Sequence, residues 1–215
     1  MKKSVFYLLF FTVLVLVFWV LLYFYTDYFQ QSKLPQRAFV KPFSFINQNG
    51  QPFTNSDMEG KVCVVEYFFT TCESVCPIMN GNMQKVYDEF KNENDFLIVS
   101  HTCQPEVDSV PLLKAYAQKM GSDEKHWVFV TGKKDSLYSM ARFSYGIDDP
   151  KNAVDNIEDD FIHSQFFALV DRNGSVRGGV YDGTVKEDVE KLKTDIKGLL
   201  HEKRKKGNFT GVYSN

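Results

Sequence analysis

An excess of charge of either sign is what this chain most clearly lacks. Of its 215 residues, 25 are Lys or Arg and 27 are Asp or Glu, a formal net charge of −2. Taking Lys2 and Lys3 out of the 25 leaves 23 basic against 27 acidic residues, a balance that would not draw a polyanion. Nucleic acid is therefore not an expected partner. There is no internal repeat and no low-complexity tract, and an aromatic content of 15% excludes a disordered chain. Charge is missing altogether between Val5 and Tyr25, twenty-one residues of which only Thr12 is neither aliphatic nor aromatic. At about 1.5 Å per residue such a run spans roughly the 30 Å core of a bilayer.

That run predicts a membrane segment over 5–26, preceded by a short cytoplasmic N-terminus, 1–4. Lys2 and Lys3 lie before it and the residues after it are of mixed charge, which by the positive-inside rule leaves the bulk of the protein outside the cytoplasm. The expected address is a single-pass protein of the inner (cytoplasmic) membrane with its domain on the periplasmic or extracytoplasmic side. A cleaved signal peptide would end in small residues, whereas this run ends in Leu22-Tyr23-Phe24-Tyr25-Thr26, so an uncleaved anchor is expected. No Cys follows closely enough for a lipoprotein. Trp19, Tyr23, Tyr25 and Tyr28 have the spacing of an interfacial aromatic belt. Residues 27–38, with little apolar periodicity, read as a tether, and 206–215 as a tail.

About 185 residues remain, enough for one domain with its own core, expected over 39–205. Pro42-Phe-Ser-Phe-Ile46, a turn, and Gln51-Pro-Phe-Thr54 read as a short hairpin. Lys61 to Phe69 is a continuous apolar run, the mark of a strand buried on both faces. It leads into Thr70-Thr-Cys-Glu-Ser-Val-Cys-Pro77, after which Met79, Met83, Val86, Tyr87 and Phe90 recur at helical spacing. Further strands are expected over 96–100, 127–130, 165–171 and 176–181, and helices over 110–120, 135–143 and 185–205. This order predicts an α/β, thioredoxin-like fold, a central mixed sheet flanked by helices, behind one transmembrane helix.

Four cysteines occur in a domain expected on the oxidising side of a membrane. Cys72 and Cys76, four residues apart at the mouth of a helix, can face the same way to form a disulfide or grip one metal ion. The helix N-terminus favours the thiolate that both chemistries need, and Pro77 suits the first turn. Two thiolates select Cu(I) or Zn over hard ions but do not complete a site. Of the four histidines, His163 is the best third donor, because its loop precedes the strand starting near Gln165 and approaches the Cys turn in such a sheet. His101, at the end of a buried strand, reads as structural or as a supporting group, His126 as a surface residue, and His201 as part of the charged last helix.

Phe68-Phe-Thr-Thr-Cys-Glu-Ser-Val-Cys-Pro-Ile-Met79 resembles the signature of the Sco/SenC family, membrane-anchored thioredoxin-fold copper chaperones for cytochrome c oxidase assembly. The resemblance continues through Ser100-His-Thr, Trp127 to Gly132, Phe161-Ile-His-Ser164 and Ala168 to Asp171. It implies copper, Cu(I) or Cu(II), held by Cys72, Cys76 and His163, with Cys72 and Cys76 also a redox-active pair. The partners it implies are the copper-site subunit of cytochrome c oxidase and a thiol reductant or another copper chaperone. Where family members commonly carry Asp-Pro-x-x-Asp, this chain reads Gln104-Pro-Glu-Val-Asp108, with an amide in place of the first carboxylate. The competing expectation is a thiol:disulfide oxidoreductase acting on an oxidase subunit or other extracytoplasmic protein, and a peroxidase is a third. Three residues rather than two between the cysteines, and no proline before the late strand, favour metal.

The remaining features have plainer readings. Cys63 is expected in the core, and Cys103 as a small apolar residue at a strand end rather than a resolving thiol or extra ligand. Met79 and Met83 fit a core-facing helix stripe better than a thioether site. Asp155, Glu158, Asp159 and Asp160 read as a solvated loop, and Lys203 to Lys206 as a basic helix end. Asn208-Phe-Thr210 has the pattern of a glycosylation sequon.

Overall fold

Residues 3–25, 34–72, 74–162 and 165–202 are described by the computed structural model of the chain. The first element, α1 (Lys3–Tyr25), is apolar all round, with a mean hydropathy of 2.9 over Lys3–Tyr23 and none of its span buried in the protein. By length and composition it is the one helix among the described residues that can cross a membrane. Of the expected aromatic belt, Trp19 and Tyr23 are exposed, and Tyr28 lies outside the described residues.

The domain is built on one eight-stranded sheet. Its strands are β1 (Gln36–Phe39), β2 (Ser44–Asn47), β3 (Pro52–Thr54), β4 (Val62–Phe68), β5 (Phe96–Thr102), β6 (Trp127–Thr131), β7 (Phe166–Val170) and β8 (Ser175–Asp182), in the order β1-β8-β7-β4-β5-β6-β2-β3. At the centre, β4, β5 and β6 run parallel, and every residue of β4 and β5 is buried. That is why these stretches read as unbroken apolar runs. The other pairings are antiparallel, so the sheet is mixed as expected.

Alternate β4 side chains face opposite ways. Val62, Val64 and Phe68 pack with Met79, Met83, Val86 and Phe90 of α3 (Cys76–Phe90), with Leu113 and Ala117 of α4 (Val110–Lys119), and with Leu192, Ile196 and Leu199 of α6 (Lys186–His201). Cys63, Val65 and Tyr67 pack with Met58 of α2 (Asn55–Met58), Leu137 and Tyr138 of α5 (Lys134–Met140), and Phe45 and Phe53 of the hairpin. Met79, Met83 and Cys63 are thus core residues, at about 1.5–3 kcal/mol for each large apolar side chain buried.

Three boundaries differ from the sequence reading. The strand Gln36–Phe39 begins inside the segment read as tether, pairing with β8. A four-residue edge strand gains its order from the sheet it joins, so it needs no apolar alternation of its own. The helix expected over 135–143 ends at Met140 and widens into a π-turn, Ala141–Tyr145, closed by Gly146 at φ +66°, a left-handed conformation glycine tolerates. The last helix ends at His201, where the Arg172 guanidinium donates to the carbonyls of Leu199, Leu200 and Glu202 and caps it.

Candidate metal centre and thiol pair

The C-terminal end of β4 delivers the chain into the turn that carries Cys72. Cys72 N–H donates to the Phe69 carbonyl, and the first turn of α3 follows, with Pro77 where no intrahelical N–H partner is lost. The turn is tied to the neighbouring strand by Asp108. Its buried carboxylate accepts the Thr70 backbone N–H at 3.3 Å, the Thr70 hydroxyl at 2.5 Å, and the Thr102 hydroxyl of β5. Thr102 in turn accepts the Gln104 N–H at 2.9 Å, and Gln104 Oε1 lies 3.4 Å from the Thr71 hydroxyl, which donates to it. Asp108 of the altered Gln-Pro-Glu-Val-Asp element therefore holds the Cys turn to β5, and the amide at 104 remains usable as an acceptor.

All four cysteines are free thiols. Cys76 N–H donates to Cys72 Sγ at 3.4 Å, and Ser74 Oγ lies 3.8 Å from the same sulfur. For Cys72, burial alone would raise the thiol. The hydrogen bonds from Cys76 and Ser74 outweigh it and hold Cys72 below the ordinary range. Cys76 goes the other way: burial first, then its hydrogen bond to the Cys72 sulfur, push it up to about 12. The pair is thus one half-buried thiol of lowered pKa beside one buried thiol of raised pKa.

A cavity of about 150 Å³ opens beside the pair, with Cys72, Cys76, Tyr67 and Cys103 in its wall, and with Ile162 and Gln165 contributed by the late loop. Among the described residues, no three His, Cys, Asp or Glu side chains are grouped to hold a metal ion. Cys72 and Cys76 supply two soft donors that fit a thiophilic cation such as Cu(I), and a third must come from elsewhere. His163 lies outside the described residues, but the residues on either side of 163–164 both line this cavity. The loop leading to Ile162 is pinned. Arg142, presented by the π-turn, gives Asp160 two hydrogen bonds of 2.6 and 2.9 Å and Asp148 one of 2.7 Å, and Tyr138 OH donates to the Cys103 carbonyl at 2.9 Å. Asp160 is buried and ion-paired, not part of a solvated stretch. Asp155, Glu158 and Asp159 are exposed as expected.

The other sequence candidates separate clearly. Cys103 is buried at the strand end, with its thiol pushed well above the ordinary range by burial. His101 points to the opposite face of the sheet from Glu66 and Ser100, inside a box of Phe45, Tyr67 and Tyr145, and stacks on Tyr67 at 5.0 Å between centroids. Burial pushes its imidazole down to about 3. His126 is buried rather than on the surface, because Asp123 turns back to place a carboxylate oxygen 2.9 Å from its Nδ1. His201 is exposed and contacts the Lys197 carbonyl. The sequence reading passed over Glu66, Arg142 and Thr70. Glu66 had a signal, as the sole charged residue between Val62 and Cys72.

Comparison with known proteins agrees with this architecture. The family model described as SCO1/SenC matches residues 31–201. The SCO1 protein homolog of Bacillus subtilis (strain 168) is 31% identical over 172 residues, covering 78% of this chain and 86% of the relative. The solved structure of BsSco, described as having a disulfide switch and as a member of the Sco family of cytochrome c oxidase assembly proteins, superposes with a TM-score of 0.64 at 29% identity, covering 80% of this chain and 98% of BsSco. Bradyrhizobium japonicum ScoI with copper bound gives a TM-score of 0.59 at 21% identity over 75% of this chain and 99% of ScoI, a likeness that speaks for the fold alone. With the match running from before the first strand to the end of the last helix, the chain belongs to the SCO1/SenC family.

Proposed function

We propose that this protein is a membrane-anchored copper chaperone that holds copper through Cys72, Cys76 and His163 and delivers it to the dinuclear copper site of cytochrome c oxidase. The observation that carries the reading is the cavity wall. It joins the two thiols to Ile162 and Gln165, the residues that bracket His163 and its neighbour. Copper bound in a structure of the same fold, and the description of BsSco as an oxidase assembly protein, support the cargo and the recipient. In this reading 5–26 is the anchor in the inner membrane, the chain from there to β1 the tether, and the domain from Gln36 through His201 the copper domain on the extracytoplasmic side, with Lys2 and Lys3 facing the cytoplasm.

Copper reaches the pair as a soft cation. Cys72, the more accessible and more acidic of the two thiols, meets it first, and Cys76 binds as its proton leaves. Oxidation of the pair to the Cys72–Cys76 disulfide removes both donors, so a thiol reductant has to reopen the pair before a copper source, such as another copper chaperone, can reload it. The test is transfer. Copper-loaded full-length protein in detergent is mixed with the copper-free copper-site domain of the oxidase. The reading expects the recipient's dinuclear-copper absorption to appear with the reduced wild type and to be absent with His163→Ala. Equal transfer from His163→Ala would remove His163 from the site.

A second reading draws on the asymmetry of the two thiols. One acidic thiol beside one buried thiol is also the arrangement of a thiol:disulfide oxidoreductase, which would act on the cysteines of an oxidase subunit or other extracytoplasmic protein. Turnover of a disulfide substrate that depends on both cysteines and is indifferent to His163 would favour it.

A further inference from the structure

The basic run Lys203-Arg-Lys-Lys206 has no task left at the helix end beside which it stands. The helix α6 stops at His201, and Glu202 leaves it with extended backbone. The carbonyls of that end are already taken. Arg172 donates to Leu199 at 2.7 Å and to Leu200 and Glu202 at 2.8 Å each, while its Nε and Nη2 also donate to Asp95. That guanidinium supplies both the donors and the positive charge that a helix C-terminus favours. From Lys203 to Asn215 the sequence has four basic residues, no acidic one, and two aromatics, Phe209 and Tyr213. With those four and Lys2 and Lys3 set aside, the rest of the chain holds 19 basic against 27 acidic residues. The run is thus a concentrated cation attached to a domain of the opposite sign.

Arg177 fixes where the run leaves the domain. Its Nη2 and Nε donate to the Leu34 carbonyl at 3.0 and 3.1 Å, and its Nη1 donates to Asp171 at 2.7 Å and to Glu202 at 3.4 Å. Leu34 ends the connection from α1, and Glu202 directly precedes the basic run, so the chain's way in and its way out meet on one side chain. Nine residue steps separate Leu34 from Tyr25, where α1 ends. At about 3.3–3.6 Å per residue they span at most about 30 Å. A cationic segment held that near a bilayer meets it at high effective concentration.

The exit also lies at the far end of the sheet from the thiols. Arg172, which holds the Glu202 carbonyl, is tied to Asp95, and the Asp95 carbonyl accepts the N–H of Val62 at the start of β4. Cys72 follows the other end of that strand, about 20 Å away at roughly 3.3 Å per residue. Whatever binds the basic run leaves the mouth of the thiol pair uncovered.

We infer that 203–206 is a lipid-binding segment, which holds this end of the domain to the anionic phospholipid headgroups of the membrane that carries α1. The inference rests on the reading of 5–26 as an anchor. Each Lys or Arg brought to an anionic surface gains roughly fivefold in its bound-to-free ratio at physiological salt, so four together make a firm but salt-sensitive contact. Phe209 and Tyr213 suit the headgroup level, where aromatic side chains collect.

The test places the full-length protein in lipid nanodiscs whose acyl chains carry bromine, which quenches a Trp in contact with the bilayer. In the wild type Trp19 reports the anchor, and Trp19→Phe leaves only Trp127, buried in the core, as a reference. Phe209→Trp in the Trp19→Phe background reports the tail. In phosphatidylglycerol discs this Trp should be quenched and its emission shifted to the blue, and in phosphatidylcholine discs it should be neither. Raising salt from 0.1 to 1 M, which shortens the screening length from about 10 to about 3 Å, should reverse the effect. Replacing the four basic residues by Gln should lower the bound-to-free ratio on the order of 10²-fold. Inorganic phosphate added to the phosphatidylcholine discs should change nothing.

Equal emission in the two kinds of disc, or the same quenching after replacement of all four basic residues, would overturn the inference. So would a blue shift produced by inorganic phosphate alone, which would make the run a phosphate site. With Trp19 quenched throughout, each of these leaves the anchor and the copper reading standing. An unquenched Trp19 would instead remove the anchor, and the inference with it.

Discussion

The backbone N–H of Cys76 donates to the sulfur of Cys72 across 3.4 Å. That bond, made at the first turn of α3, stabilises negative charge on one sulfur while the other stays buried and protonated. It divides two chemically identical side chains into a more acidic, more reactive thiol and a reserve thiol.

The division predicts selective labelling. With limiting iodoacetamide at pH 7, Cys72 should be alkylated about 10²-fold faster than Cys76, and Cys63 and Cys103 should remain unlabelled. Peptide mass spectrometry reads the order directly. Equal labelling of Cys72 and Cys76 would contradict the asymmetry.

Asp108 predicts a second outcome. Asp108→Ala strands two hydroxyls and one backbone N–H that the carboxylate now accepts, which should cost about 2–4 kcal/mol in urea unfolding. Because Thr70 is two residues before Cys72, the turn should loosen as well, and alkylation of Cys76 should accelerate relative to wild type. Asp108→Asn, which keeps one acceptor, should fall between.

His101 and Glu66 predict a cancellation. The folded His101 value of about 3 lies below the ordinary 6.5, so its neutral, buried form contributes stability above pH 6.5 that is lost as pH falls towards 3. Glu66 lies at about 7 against an ordinary 4.5, so the folded state binds the extra proton and gains stability as pH falls from 7 towards 4.5. Between pH 7 and pH 5 each group is worth about 2 kcal/mol, in opposite directions. The wild type should therefore show little net change over that interval from these two groups. Glu66→Gln should lose stability on acidification and His101→Phe should gain it, as read by urea unfolding at the two pH values. Parallel behaviour of the two variants would contradict the assignment.

Arg142 predicts the cost of unpinning the late loop. Its guanidinium neutralises Asp148 and Asp160 in a buried setting, so Arg142→Met leaves two uncompensated carboxylates and should destabilise by about 3–5 kcal/mol. Asp160→Asn should cost less and should weaken copper binding, since Asp160 fixes the approach to Ile162. Thermal unfolding and copper titration of both variants check this.

Much of this was legible in the chain. The central strands Val62–Phe68 and Phe96–Thr102 announced themselves because burial on both faces leaves nothing polar to interrupt the run, apart from Glu66, Ser100, His101 and Thr102. The Cys72 to Cys76 spacing and Pro77 located the helix mouth. What stayed hidden was long-range pairing. Asp160 looks like its exposed acidic neighbours until the fold brings Arg142 to it from eighteen residues away. His126 looks superficial until Asp123 folds back onto it, and Gln36–Phe39 becomes a strand only because β8 offers an edge. Glu66 sat inside the most obvious strand of the protein, and the regularity of the strand distracted from the one carboxyl that has no place in an apolar run.

The central claim is a copper site made of Cys72, Cys76 and His163, and copper stoichiometry tests it most directly. Reduced full-length protein, its disulfide form, and the variants Cys72→Ser, Cys76→Ser and His163→Ala would be titrated with Cu(I) under a competing chelator. One tightly held copper in the reduced wild type, lost on oxidation and weakened or lost in each variant, is the predicted result. Copper held equally well by the oxidised protein or by all three variants would contradict the account.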